Sequence, residues 1–236
     1  MKILVTNDDG LGAPGLKLLQ KVAQSFGSVW TVAPDSEKSG ISHRITFERP
    51  LQIRQFSDHV LSVDGTPADC VRVATARFGV EFDFVISGVN NGANLGVETY
   101  YSGTVAAARE ASFLGIPAVA ISQYRKRYAD PFDWSRPECL VRNLIQQSIE
   151  SELSPGQCYN INIPDNYESE NNGSIESVFC EPDPSPLPSV YTDTGDEMEL
   201  SFSYSNRPQI PGCDVANCFG GKVTISRLSF VGTAPN

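Results

Sequence analysis

The feature that most constrains this chain is a strand, a helix and a second strand packed into its first 35 residues. Ile3 to Val5 form a short apolar run that empties into Asn7-Asp8-Asp9-Gly10, as a buried parallel strand does where it meets a polar loop. Pro14 stands where a helix can begin, and Leu16, Leu18, Leu19, Val22 and Phe26 lay one apolar stripe along it. Val29 to Ala33 then supply a strand closed by Pro34-Asp35. This is a βαβ unit, and its crossover should be right-handed.

The alternation continues. Residues 44–64 read as a pair of extended segments, and Pro67 to Phe78 as a helix. Phe82 to Ile86 read as a buried strand, 88–101 as a glycine- and asparagine-rich loop, and 102–114 as a helix. Pro117 to Ser122 predict a strand, 138–152 a helix and Tyr159 to Ile163 a strand. The expected fold is therefore α/β, a Rossmann-like, doubly wound, mostly parallel sheet. Residues 165–215 are rich in Pro, Ser, Asn and Asp, with short extended candidates at 175–179 and 198–204, and Lys222 to Leu228 suggest a last strand. One domain over 1–236 is expected, with a core over about 1–164 and a loop- and hairpin-rich C-terminal extension over about 165–236.

The formal net charge of −10 argues against a groove for duplex nucleic acid, which needs clustered Lys and Arg. It leaves room for a small phosphorylated ligand where a metal and backbone N–H groups supply local positive charge. No apolar run reaches membrane-spanning length, and no signal-peptide pattern opens the chain. The six cysteines lack Cys-x-x-Cys or zinc-ligand spacing, so reduced thiols in a cytoplasmic protein are expected. Cys213 and Cys218 are left open as a pair.

In an open α/β sheet, ligands bind beyond the carboxyl ends of the strands. Three polar segments should meet there: Asn7 to Gly10, Ser36 to Ser42, and Ser87 to Thr104. Asp8-Asp9-Gly10 alone reads equally as a turn or cap, but two carboxylates so close are costly without a cation. Ser39 adds a hydroxyl, and Asn90 and Asn94 lie in a loop that offers amide oxygens and N–H donors. Ser102-Gly103-Thr104 falls where a helix starts, a ready phosphate site that also accommodates ordinary N-capping. An all-oxygen donor set fits Mg²⁺, Mn²⁺ or Ca²⁺. His43 stands either as an acid or base or as a loop histidine with its bonds satisfied.

These blocks resemble the SurE family of nucleotidases, also called acid phosphatases or survival proteins. The resemblance rests on Val-Thr-Asn-Asp-Asp-Gly at 5–10, Ala13-Pro14-Gly15, Val32-Ala33-Pro34, Ser39-Gly40, and Gly65 to Cys70. It continues through Ser87 to Gly96 and Tyr101 to Ala107, in that order, fades after residue 122, and returns at Asn160 to Pro164 and at Asp214-Val215 with Gly221 to Ile225. The family's usual Thr-Pro-x-x-Arg stretch is missing between 165 and 213. The resemblance implies one divalent ion per subunit, Mg²⁺ or Mn²⁺, on Asp8, Asp9, Ser39 and Asn90, with Asp8, Asp9 and Asn90 as the catalytic set. It also implies hydrolysis of nucleoside 5′- and 3′-monophosphates, with short polyphosphate as a further substrate, and a homodimer or homotetramer built partly by exchanged C-terminal segments. Asn94, Ser102, Gly103 and Thr104 are the expected phosphate contacts. Two rival readings are a covalent aspartyl-phosphate on Asp8 and a non-catalytic nucleotide sensor.

Overall fold

The computed structural model describes residues 1–127, 130–165, 175–202 and 204–230. β1 (Lys2–Thr6) lies inside a nine-stranded sheet, and α1 (Pro14–Ala23) carries the chain over to β2 (Ser28–Pro34). β3 (Ile53–Ser57) and β4 (Val60–Val63) follow, then α2 (Pro67–Phe78) and β5 (Phe84–Asn91). The short helix α3 (Glu98–Tyr101) runs into α4 (Gly103–Phe113), followed by β6 (Ala118–Gln123), α5 (Glu138–Glu150) and β7 (Gln157–Ile163). The last part contains β8 (Ser177–Phe179), β9 (Ser189–Asp193), β10 (Met198–Phe202), α6 (Asp214–Phe219) and β11 (Val223–Ser229).

The sheet order is β3-β4-β2-β1-β5-β6-β7-β11-β8. The block from β4 to β7 is parallel throughout, while β3 and β11 pair antiparallel to β4 and β7. The chain starts at β1, winds outward to β2 and β4, then returns to β5 on the other side of β1. The topological switch point of this doubly wound sheet therefore lies between β1 and β5.

Alternation within the strands builds a core on each face. Ile3, Val5, Ile86 and Ile121 face α1 and α5, whereas Leu4, Val85, Val32 and Ala120 face α2 and α4. Two bare backbones permit close packing. A Cβ on Gly15 of α1 would lie 2.0 Å from the Val89 carbonyl oxygen, and one on Gly88 would lie 2.2 Å from that of Ile121.

Three local readings differ from the sequence expectation. The 88–101 segment is not all loop: β5 runs on to Asn91 and a turn of helix forms at Glu98–Tyr101. The strand continues because Asn90 and Asn91 pair with Ser122 and Gln123 after a register shift, a partner that local composition does not announce. Only 53–57 and 60–63 of the 44–64 region are regular. In the last third, β8 and β10 match the short candidates, while β9 and α6 had no apolar periodicity to reveal them. β9 and β10 form a separate hairpin, and β8 and β11 extend the main sheet. The atypical stretch 166–174 lies outside the described residues.

Candidate active site

β1 ends at Thr6, so Asp8 and Asp9 sit just beyond the switch point. Asp8 is only 4% exposed. Its Oδ1 accepts a hydrogen bond from Thr104 Oγ1 at 2.5 Å, which ties it to the first turn of α4. The approach is closer still at Gly103: a Cβ there would stand 2.8 Å from Asp8 Cβ and 3.0 Å from Asp8 Oδ2. Asp9 Oδ2 accepts from the Asn91 N–H at 3.2 Å. One carboxylate is thus held by α4 and the other by the end of β5.

Burial raises the pKa of Asp8 from its ordinary value, against the Thr104 hydrogen bonds that favour its charge. Asp9 is raised to about 6, first by burial and then by the charge of Asp8, with the Asn91 N–H opposing. The charge of Glu37 pushes both in the same direction. Two carboxylates therefore lie side by side within the field of a third, with no side-chain cation bonded to the Asp8–Asp9 pair among the described residues. The sequence reading passed over Glu37; its place between Ser36 and the Ser39 ligand candidate was the available signal.

Ser39 belongs to a loop that crosses from β2 to the start of α4. The loop is pinned by Lys38 N–H to the Asp8 carbonyl (2.8 Å) and by Ser42 N–H to the Tyr101 carbonyl (2.8 Å). Further along, Thr46 N–H donates to Asp69 Oδ1 (2.9 Å) and Thr66 Oγ1 to the Arg44 carbonyl (2.6 Å). Thr66 and Asp69 are also the reciprocal capping box of α2. The Gly65-to-Cys70 block thus fixes a helix start and the loop bearing Ser39 together. His43 Nε2 lies 2.7 Å from Glu110 Oε2 and its ring stacks on Phe113, so it grips the C-terminal turn of α4 rather than joining Asp8 and Asp9. Its role as acid or base loses support on geometry.

Asn90 Nδ2 donates to the Gly92 carbonyl at 2.8 Å, which leaves its amide oxygen as the available ligand atom. Asn94 is buried: its Nδ2 donates to Ser122 Oγ (2.8 Å), its N–H to Asn162 Oδ1 (2.7 Å), and its carbonyl accepts from Asn160 Nδ2 (2.8 Å). It shapes the loop from beneath. Ser102 Oγ accepts from the Val105 N–H (3.0 Å) as the N-cap of α4. The C-terminal part clamps the same loop, since Asp214 Oδ2 accepts from Gly96 N–H (2.7 Å) and Arg207 donates to Glu98 Oε2 (2.7 Å) and to the Leu95 carbonyl (3.1 Å).

Asp8, Ser39, Asn90, Asn94 and Ser102 line one cleft of about 800 Å³. Its far wall is apolar, with Leu187, Tyr191, Leu200 and Phe202 from the β9–β10 hairpin and its approach. A larger cleft of about 1020 Å³ along β7, β11 and β8 contains none of the expected site residues, so the chemistry points to the smaller one. Among the described residues no cluster of three His, Cys, Asp or Glu side chains could hold a metal. A cation here would take a mixed set: buried Asp8 and half-buried Asp9, mutually repelling, with hydroxyl and amide oxygens. That donor set fits a hard divalent ion and would relieve the repulsion.

The fold and this edge define a doubly wound α/β protein with an acidic, oxygen-lined pocket at its switch point. The family model described as "Survival protein SurE" matches residues 3–180, and the chain belongs to the SurE family. A protein of Nostoc sp. PCC 7120, provisionally named as a 5′-nucleotidase, is 40% identical over 228 residues, 97% of this chain and 99% of its own length. The 5′-nucleotidase SurE of Paramagnetospirillum magneticum is 42% identical over 168 residues, 70% of this chain and 64% of that one. The crystal structure of the SurE protein from Aquifex aeolicus superposes with a TM-score of 0.84 at 28% identity, over 97% of this chain and 93% of the other.

Proposed function

We propose that this chain is a divalent-metal-dependent phosphomonoesterase that hydrolyses nucleoside 5′-monophosphates, and 3′-monophosphates, to nucleoside and phosphate. The observation that carries the reading is the contact of Gly103 and Thr104 with Asp8, which sets a helix N-terminus against a carboxylate that lines the cleft. The relatives named 5′-nucleotidase support the substrate class. Asp8, Asp9, Ser39 and Asn90 would hold one Mg²⁺ or Mn²⁺.

When bound, such an ion supplies Lewis acidity and a water acidified enough to attack phosphorus. The chain supplies the rest. Thr104 holds Asp8, and the Asn91 N–H holds Asp9, so neither carboxylate has to reorganise. The α4 N-terminus would turn its dipole and the Gly103 N–H toward the phosphate oxygens, while the Ser102 N–H is already given to the Glu98 carbonyl (2.9 Å) and Thr104 is bonded to Asp8. Asn94, fixed from below by Asn160 and Asn162, anchors the β5–α3 loop beside Asn90, which its pairing with Ser122 holds at the end of β5. Water adds to phosphorus, the ester P–O bond breaks, and the nucleoside leaves with the proton. The apolar wall of Tyr191, Leu200 and Phe202 suits the nucleoside.

Hairpin residues Val190, Tyr191, Met198, Leu200 and Phe202 are each at least 43% exposed, which supports assembly as a homodimer or homotetramer through this arm. All six cysteines are free, which fits a cytoplasmic protein, and no helix of the described residues is long and apolar enough to cross a membrane. The test is phosphate release from adenosine 5′-monophosphate, adenosine 3′-monophosphate and polyphosphate, with Mg²⁺, Mn²⁺ or chelator. Release from the monophosphates only with metal supports the reading. Tight nucleotide binding without release from any substrate identifies a sensor instead, and a trapped phosphoenzyme identifies Asp8 as a nucleophile.

A further inference from the structure

A second pocket of about 550 Å³ adjoins the first and shares Asn90, Asn91, Glu98, Phe202 and Tyr204 with it. Besides Gly92 and Ala93, its new members are Tyr124, Arg125 and Lys126, the residues that leave the carboxyl end of β6. β6 pairs with β5 through Ser122–Asn90 and Gln123–Asn91, so this basic step emerges on the edge of the sheet that carries the acidic pair. The connection to the site is short. Arg125 Nη1 donates to Asn91 Oδ1 at 2.9 Å, and the Asn91 N–H donates to Asp9 Oδ2 at 3.2 Å. The guanidinium also lies over the Phe132 ring at 4.8 Å, and Arg125 donates to the Asp130 carbonyl. It is a held cation.

Lys126 is exposed and makes no ion pair or hydrogen bond among the described residues. The one carboxylate in the pocket, Glu98, is engaged by Arg207 Nη1 (2.7 Å) and Tyr204 OH (2.9 Å). In a chain of net charge −10, two consecutive cations opening onto the nucleotide cleft stand out against the surrounding field.

We infer that the Arg125–Lys126 pocket is a subsite for a second phosphate on the same substrate molecule, beside the phosphate being hydrolysed. The inference rests on the phosphatase reading of the neighbouring cleft. A fixed guanidinium and a free ammonium are the pair that recognises a phosphate, the first by geometry and the second by charge. The second phosphate has two sources: a further ester on the ribose, as in a nucleoside 3′,5′-bisphosphate, or a neighbouring unit in line, as in a nucleoside diphosphate.

The experiment compares steady-state KM and kcat for adenosine 5′-monophosphate, 5′-diphosphate and 3′,5′-bisphosphate in the wild type, Lys126→Ala and Lys126→Glu. The wild type is expected to show a lower KM for one of the two-phosphate substrates, and which one it is names the source. Lys126→Ala should raise that KM about fivefold, the scale of an exposed charge pair, with a larger rise in Lys126→Glu. Kinetics on the monophosphate should stay unchanged in both, and added salt should erase the wild-type advantage. The subsite is refuted if neither two-phosphate substrate is favoured, or if Lys126→Glu keeps the advantage. Failure of the phosphatase reading looks different, because the wild type would then release no phosphate from the monophosphate.

Discussion

Gly103→Ala tests the site with the smallest change available. The added methyl would stand 2.8 Å from Asp8 Cβ, 3.0 Å from Asp8 Oδ2 and 3.0 Å from Pro67 Cγ. Carbon atoms in contact settle at about 3.5–4.0 Å, so roughly 1 Å of displacement must be found. Pro67 opens α2 and is buried, and Thr104 bonds Asp8 from the same turn, so Asp8 is the group with room to shift toward the cleft. A misplacement of about 1 Å in a catalytic group costs on the order of 10²-fold in rate. Overpacking should cost about 1–3 kcal/mol of stability, partly offset by the better helix propensity of alanine, worth up to about 1 kcal/mol.

The assay is kcat/KM for adenosine 5′-monophosphate at saturating Mn²⁺ or Mg²⁺, together with a metal titration followed by thermal shift. Gly12→Ala is the control, since a Cβ there would meet nothing within 4 Å although it lies in the β1–α1 connection near the acidic pair. The expected pattern is a folded Gly103→Ala with weakened metal binding and a rate down about a hundredfold, beside a normal Gly12→Ala. A Gly103→Ala protein within about twofold of the wild type in both measurements would refute the claim that the α4 N-terminus and Asp8 form one unit.

Three further outcomes follow from the same geometry. Asp8→Asn keeps an acceptor for Thr104 and removes a buried charge, so metal-free stability should hold or rise while kcat falls by at least about 10²-fold; near-normal turnover would remove Asp8 from the metal set. Arg207→Met leaves Glu98 uncompensated where the two side chains are 1% and 17% exposed, and urea unfolding should show a loss of about 3–5 kcal/mol. Chelation should lower the melting temperature more near pH 7.5 than near about pH 5. Asp9, held at about 6 in the folded chain against an ordinary value near 4, makes the metal-free protein lose stability as pH rises through that window, and a bound cation removes the penalty. Equal drops at the two pH values would contradict the raised carboxyl.

How much of this was legible in sequence depended on whether a feature was local. The βαβ opening was readable because Ile3–Val5 and the Leu16-to-Val22 stripe each carry their own periodicity. The convergence of Asp8, Ser39 and Asn90 on one cleft was readable because strand ends in a doubly wound sheet share an edge. What stayed hidden were partners supplied from a distance. Nothing near Asn94 announces that Asn160 and Asn162 hold its backbone, and nothing near Gly96 announces Asp214, 118 positions away. The same holds for His43, whose partner Glu110 lies 67 positions away on α4. The C-terminal part looked like an appendage because its clamp on the site consists of single polar side chains, Arg207 and Asp214, with no periodicity around them. That clamp gives the atypical region a definite physical duty. Arg207 and Asp214 hold Leu95, Gly96 and Glu98, so the loop that follows Asn90 at the end of β5 is shaped jointly by β5 and by residues beyond 200.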